Sequence, residues 1–262
     1  GEMNEWLLNL VRANVREPVQ VEGDIYALAA CNDTGARRLF AMMDEYDLDD
    51  LDALGTHIIE QSRTAITAAI NALPQGSWRH SMRIDGFEEP IDLVAELTIS
   101  NGIIHVDYDG SSGPSDFGIN CPMCYTEAYT AFGAKCVVAP DIPNNAGTLD
   151  AITVSAPDHT IVNAPHPCAV VARSTIGHML PDVIFGCLHQ ALPDRVPAEG
   201  TSNLWNVKLG AGHGITKRTE GEATAFMLMS FHSGGAGARP KLDGLSATPY
   251  PSGVRNVPVE IT

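Results

Sequence analysis

The hydrophobic pattern of this chain changes period at Gln75-Gly76, and that change restricts the folds open to it. Apolar side chains recur every 3.6 residues or so on a helix face and every second residue on a strand face. Before the switch the spacing is helical. Residues 5–14 read as a short helix or a packing arm, interrupted by Glu17-Pro18. From Val21 to Tyr46, Ile25, Leu28, Leu39, Phe40 and Met43 fall at helical positions. An acidic run at 47–50 breaks the pattern, and Asp49 or Asp50 is the expected N-cap of the next helix. Its face is Leu51, Leu54, Ile58, Ile59, Ile66, Ile70 and Leu73. Two long helices joined by a short acidic turn read as an antiparallel hairpin. The acidic residues lack the glycine and terminal glutamate of an EF-hand loop, so they read as a solvated junction.

After the switch, Ile91, Leu93, Ala95, Leu97 and Ile99 alternate with other residues, as do Ile104, Val106 and Tyr108. Asn101-Gly102 between the runs is a hairpin signal, because a type I′ turn needs positive φ at both central residues. Trp78–Ile84 adds a third strand to this meander. It delivers the chain to the loop DYDGSSGPSDFGINCP at 107–122, which contains Asp116. A loop running from a strand edge to a helix start is a common place for ligands to meet backbone N–H groups. Met123–Val138 reads as a helix with Asn120 as its candidate cap, Leu149–Ala156 as a strand, and Val170–Leu192 as a helical pattern bent or begun near Pro181. Ser202–Lys208 and Thr224–Phe231 read as strands. The glycine-rich stretch at 234–240 lacks the G-K-[ST] ending of a P-loop, and Pro240 stands where a dinucleotide-binding helix would open. The fold class is therefore α+β: an N-terminal helical hairpin over 1–76, a β-meander, then mixed strands and helices with glycine-rich loops over 77–262.

Charge removes several function classes. With 32 acidic against 16 basic residues, nucleic acid and an anionic membrane surface are poor partners. No apolar run approaches the ~20 residues of a membrane span, and no signal peptide is visible at the start. The six cysteines read as reduced thiols of a cytoplasmic protein, and Cys121-Pro-Met-Cys124 reads as packing with no metal. Both ends look cut, which suggests a fragment of a longer protein.

The candidate catalytic residues are Asp116, His178 and Asp182. His178 and Asp182 are spaced to share one helix face, as an acid/base pair or two metal ligands, or else His178 is a buried, hydrogen-bonded core residue. Candidate substrate-binding positions are Ser112 and Gly113 in the first loop, with Gly234, Gly235, Arg239 and Arg255 near the C-terminus. The two arginines could hold a carboxylate or phosphate bidentately. Asp116, Arg239 and Arg255 are expected to face a common cavity.

Several blocks carry a resemblance: ANVREPVQVEGDIYAL at 13–28, DYDGSSGPSDFGIN at 107–120, PDIPNNAGTLDAI at 140–152, ALPDRVPAEG at 191–200 and GGAGARPKLDGLSATPYPSGVRNVPVEIT at 234–262. Together they resemble the hydantoinase B/oxoprolinase family, along essentially the whole chain. That family includes B subunits of N-methylhydantoinases and 5-oxoprolinases and related subunits of acetone and acetophenone carboxylases. The resemblance implies a hetero-oligomer with a hydantoinase A-type subunit, which binds ATP and Mg and phosphorylates a carbonyl oxygen. The B subunit would then act on the activated small cyclic amide or ketone, by hydrolysis or carboxylation. It implies no cofactor bound by this chain. A divalent metal would belong to the full-length subunit, because family members are much longer and this chain lacks the family's histidine- and aspartate-rich N-terminal motifs. A non-catalytic assembly module is the competing class.

Overall fold

The computed structural model describes residues 3–87, 89–200, 204–211 and 226–246. The chain divides into two compact units, Gly1–Ile58 and Ile59–Thr262.

In the first unit, helix α1 spans Glu5–Asn14 and α2 spans Pro18–Glu45. The Asn4 side chain caps α1 by accepting from the N–H groups of Trp6 and Leu7. Pro18 opens α2, where its missing N–H costs nothing and its fixed φ suits the helix. Within this unit α1 packs along α2. Arg12 of α1 pairs with Glu22 of α2, its Nε donating to Oε2 at 2.7 Å. The Asp50 carboxylate accepts from the N–H of Asp52 at 3.0 Å and so caps the start of α3, Asp52–Asn71.

In the second unit, α3 buries Ser62, Ile66 and Ile70. Strands β1 (Gly76–Ile84), β2 (Ile91–Ser100) and β3 (Ile103–Asp107) form the antiparallel meander that the alternation calls for. Asn101 and Gly102 form the two-residue turn with φ of 52° and 76°. Glycine is doubly required at 102, since a Cβ there would also lie 2.6 Å from Thr67 Cγ2 of α3. Strand β4 (Ile152–Ser155) joins β3 in parallel, Ile104 opposite Ile152, giving the order β1-β2-β3-β4. It begins later than the sequence suggested, because residues Ala146–Leu149 form a short helix, α5. The cause is a capping box: Asn145 Oδ1 accepts from Gly147 N–H, and Thr148 Oγ1 accepts from Asn145 N–H, each at 3.0 Å.

Helices α4 (Met123–Val138) and α7 (Leu180–Ala191) pack on each other. Helix α7 also packs on β1 and β2, and α4 on β4. Between them lie Leu93, Ala95, Leu97 and Ile99 from β2 with Ile104 and Val106 from β3, all fully buried. Burying a Leu, Ile or Val side chain contributes roughly 1.5–3 kcal/mol relative to leaving it in water. Tyr108 is sealed in the same core, its hydroxyl 2.6 Å from Thr130 Oγ1. The helical pattern at 170–192 resolves into α6 (Ser174–Gly177) and α7, which begins near Pro181 as one of the two sequence readings has it, with that proline in its first turn. Strands β5 (Leu204–Ala211) and β6 (Phe226–Ser233) form a separate antiparallel pair. No described helix is long and apolar enough to cross a membrane.

Candidate functional site

The break before α7 places Asp182 in the first turn of that helix, facing inward. Its side chain is fully buried, and neither carboxyl oxygen has a hydrogen-bond partner among the described residues. A helix N-terminus favours an anion, but loss of water dominates here. Burial pushes the Asp182 carboxyl up to about 7, and the charge of Glu199 adds to the shift. The Gly200 backbone acts in the opposite direction without reaching hydrogen-bond geometry.

Asp182 lines a cavity of about 640 Å³. His80 of β1 forms part of the wall and lies directly on α7 at Gly186. A Cβ at 186 would stand 2.1 Å from the imidazole Cδ2, so only glycine leaves room for the ring. Gln190 locks strand to helix beside it, its Nε2 donating to the carbonyls of Arg79 and Gly186 at 3.0 Å each. His189, Asp194 and Glu199 add polar walls. The segment carrying Glu199 is tied down by Ala198 N–H, which donates to Ala238 O at 2.8 Å. No lysine or arginine lines this cavity among the described residues. Its volume suits a small organic molecule, and its electrostatics suit a neutral or cationic one.

The family model described as Hydantoinase B/oxoprolinase matches residues 1–262. The chain belongs to the hydantoinase B/oxoprolinase family. It is 30% identical to an uncharacterized protein of Methanocaldococcus jannaschii, across 80% of this chain and 37% of that one. It is 27% identical to a putative D-/L-hydantoinase B subunit of a Pseudomonas species, across 99% of this chain and 45% of that one. Identity to the beta subunit of the caprolactamase of Pseudomonas jessenii is 26%, across 94% of this chain and 42% of that one. The chain therefore spans less than half the length of these relatives. In fold it is similar to the crystal structure of the ATP-dependent caprolactamase of Pseudomonas jessenii, with a TM-score of 0.78 at 22% identity over 95% of this chain and 43% of that one. A nucleotide-free acetone carboxylase structure is also similar in fold, with a TM-score of 0.59 at 16% identity over 73% of this chain and 27% of that one.

Within this hydantoinase B/oxoprolinase chain the sequence candidates fall in several places. Ser112, Gly113 and Asp116 line a second, smaller cavity of about 360 Å³ together with Glu89, Pro90 and Ile91. The hydroxyl of Ser112 is engaged there, accepting from the N–H of Asp92 at 2.9 Å. Arg239 is exposed, donates from Nε to the carbonyl of Asp243 at 3.0 Å, and lines neither of these cavities. Asp116 and Arg239 thus do not meet in either of these two cavities, and Arg255 lies outside the described residues. Gly234 and Gly235 line neither cavity; the adjoining Ala236 N–H donates to Leu245 O at 2.8 Å.

His178 and Asp182 do not share a helix face. His178 closes α6, is buried, and packs on Tyr129 with ring centroids 5.4 Å apart; burial lowers its pKa. Pro181 starts a new helix between them, so no acid/base pair forms. Asn120 does not cap α4, whose N-cap position is Pro122. It is instead a buried clasp for the preceding loop: its Oδ1 accepts from Ser115 N–H at 2.8 Å and its Nδ2 donates to the carbonyls of Ser115, Phe117 and Ala169. Cys121 is buried while Cys124 is exposed on α4, so the two thiols occupy different environments. Among the described residues no group of three or more His, Cys, Asp or Glu is placed to hold a metal ion.

The sequence reading passed over His80, Gly186 and Glu199. One signal was available: His80 sits in the same alternating register of β1 as Trp78, Met82 and Ile84, the half-buried side.

Proposed function

We propose that this chain is part of the B subunit of an ATP-dependent cyclic amide hydrolase. The observation that carries the reading is the cavity around Asp182 in a chain matched along residues 1–262 by the hydantoinase B/oxoprolinase family. A hydantoinase A-type partner binds ATP and Mg and phosphorylates the amide oxygen, which releases ADP and makes the ring carbon more electrophilic. One water adds to that carbon and the C–N bond breaks, giving an amine and an acyl phosphate; a second water cleaves the acyl phosphate to a carboxylate and inorganic phosphate. The cavity around Asp182, lined by His80 and His189 and by no described lysine or arginine, suits the neutral lactam that enters the cycle before its oxygen is phosphorylated. The substrate is a small lactam or cyclic imide, and a reducing cytoplasm suits the six thiols. The fold likeness to acetone carboxylase supports a second reading, ATP-dependent ketone carboxylation, but over less of the chain than the caprolactamase likeness.

The test is a turnover assay of the full-length subunit with its A-type partner. It follows ADP release and ring opening with lactams and hydantoins, and bicarbonate-dependent product formation with ketones. ATP-dependent ring opening by the pair is expected. The 262-residue chain alone is expected to show none, with or without ATP. Turnover by the chain alone, or activity on ketones only, would overturn the proposal.

A further inference from the structure

We infer that the Asp182 carboxyl, in its protonated form, recognises a neutral cyclic amide by pairing with the N–H and C=O on one edge of the ring. The inference rests on the proposed function and names how that same cavity chooses its ligand. A buried polar group without a partner carries its full desolvation cost, and such groups in folded proteins point to an absent partner. Asp182 is of this kind at both oxygens among the described residues. Small rings hold their amide bond cis, so the N–H and C=O lie side by side. A carboxylic acid presents O–H and C=O with matching spacing, and the two edges close a pair of hydrogen bonds. A ketone offers only the acceptor, and an N-alkylated lactam likewise.

The rest of the cavity supports a neutral ligand over its phosphorylated form. The charged or titratable groups that line the cavity with Asp182 are His80 from β1, His189 from α7 itself, and Asp194 and Glu199 from the chain after α7, of which Glu199 acts on the Asp182 carboxyl. No described lysine or arginine is present to meet a phosphate. Neither Asp182 oxygen meets solvent in the present conformation. The segment acting most closely on the carboxyl is Glu199-Gly200, which has no helix or strand of its own. Seating the ring against Asp182 therefore involves a shift of that segment.

The experiment measures binding by calorimetry, without ATP, to the full-length subunit in complex with its A-type partner. The probes are 2-piperidinone, N-methyl-2-piperidinone and cyclohexanone. 2-Piperidinone is expected to bind at least about tenfold more tightly than the other two, as loss of one buried hydrogen bond implies. Its affinity should fall as pH rises through 7, because the ionised carboxylate has no proton to donate. Asp182→Asn keeps one donor and one acceptor and should bind 2-piperidinone with no such fall, which separates Asp182 from the other groups that titrate nearby. Asp182→Leu should lose about tenfold or more in affinity without a lower unfolding temperature. Equal affinity for the N-methyl probe overturns the inference. So does unchanged binding by Asp182→Leu, or a lower unfolding temperature of that variant, which would reveal a structural partner for the carboxyl. Selective lactam binding without ATP-dependent turnover would instead sink the proposed function and leave the recognition intact.

Discussion

Asp182→Asn is expected to stabilise the protein at pH 8, with the gain vanishing near pH 4. An unburied aspartate titrates near 3.9, whereas burial holds Asp182 at about 7. A folded-state pKa above the unfolded one means that folding favours the protonated form. The stability linked to that proton is complete below about pH 4 and is lost as pH rises through 7. The interval corresponds to roughly 4 kcal/mol at most. Asparagine has nearly the shape of the protonated acid and never ionises, so its curve should stay level where that of the wild type falls. Urea unfolding of both proteins at pH 4, 6 and 8 reads the difference directly. Coincident midpoints at pH 8 would show that the carboxylate is already satisfied and that burial does not govern its titration.

The second large effect is expected at Gly147. The short helix α5 is docked on α3, with Asn145 Nδ2 donating to Ser62 Oγ at 2.7 Å and Arg63 Nη2 donating to Asp150 at 3.0 Å. Between these contacts the backbones approach closely. A Cβ on Gly147 would lie 2.1 Å from the carbonyl oxygen of Ile59 and 2.9 Å from the nitrogen of Arg63. Both are backbone atoms inside a helix and have no rotamer by which to move away. Gly147→Ala must therefore lift α5 from α3, and should cost about 3 kcal/mol or more. Gly35→Ala is the control: it lies inside α2 with no atom within 4 Å of the added methyl. That change should stabilise by about 0.5–1 kcal/mol through helix propensity alone. Denaturant unfolding of the two variants should move in opposite directions. A wild-type midpoint for Gly147→Ala would mean that α5 and α3 are not held at this distance.

What was legible in the sequence was local. The Asn101-Gly102 turn pins the register of β2 and β3 because both the turn and the alternating run lie within a few residues of each other. The strand at 152–155 was visible, but not its parallel partner, since nothing near Ile152 encodes Ile104. The boundary of α5 was hidden for another reason: Asn145 and Thr148 cap each other, and the apolar pattern at 149–152 carries no trace of that. The candidate site was the least legible. His80, Asp182 and Glu199 come from three segments, and Gly186 is explained only by the ring that lies on it. The pairing of His178 with Asp182 failed because a new helix begins at Leu180 with Pro181 in its first turn, a break that the proline itself marks in the sequence.

The sheet order also bears on how the chain acquires its structure. β2 and β3 find each other across two residues, whereas β4 reaches β3 only after α4 and α5 have been threaded between them. Closing long loops before any contact rewards them slows folding, and late, short edge elements are the first to open. The meander is thus the early scaffold, and the four residues Ile152–Ser155 at the sheet margin are a late addition. In native-state hydrogen exchange the β4 amides should lose protection well before those of Leu93–Ile99; equal rates would mean that the sheet opens only as one piece.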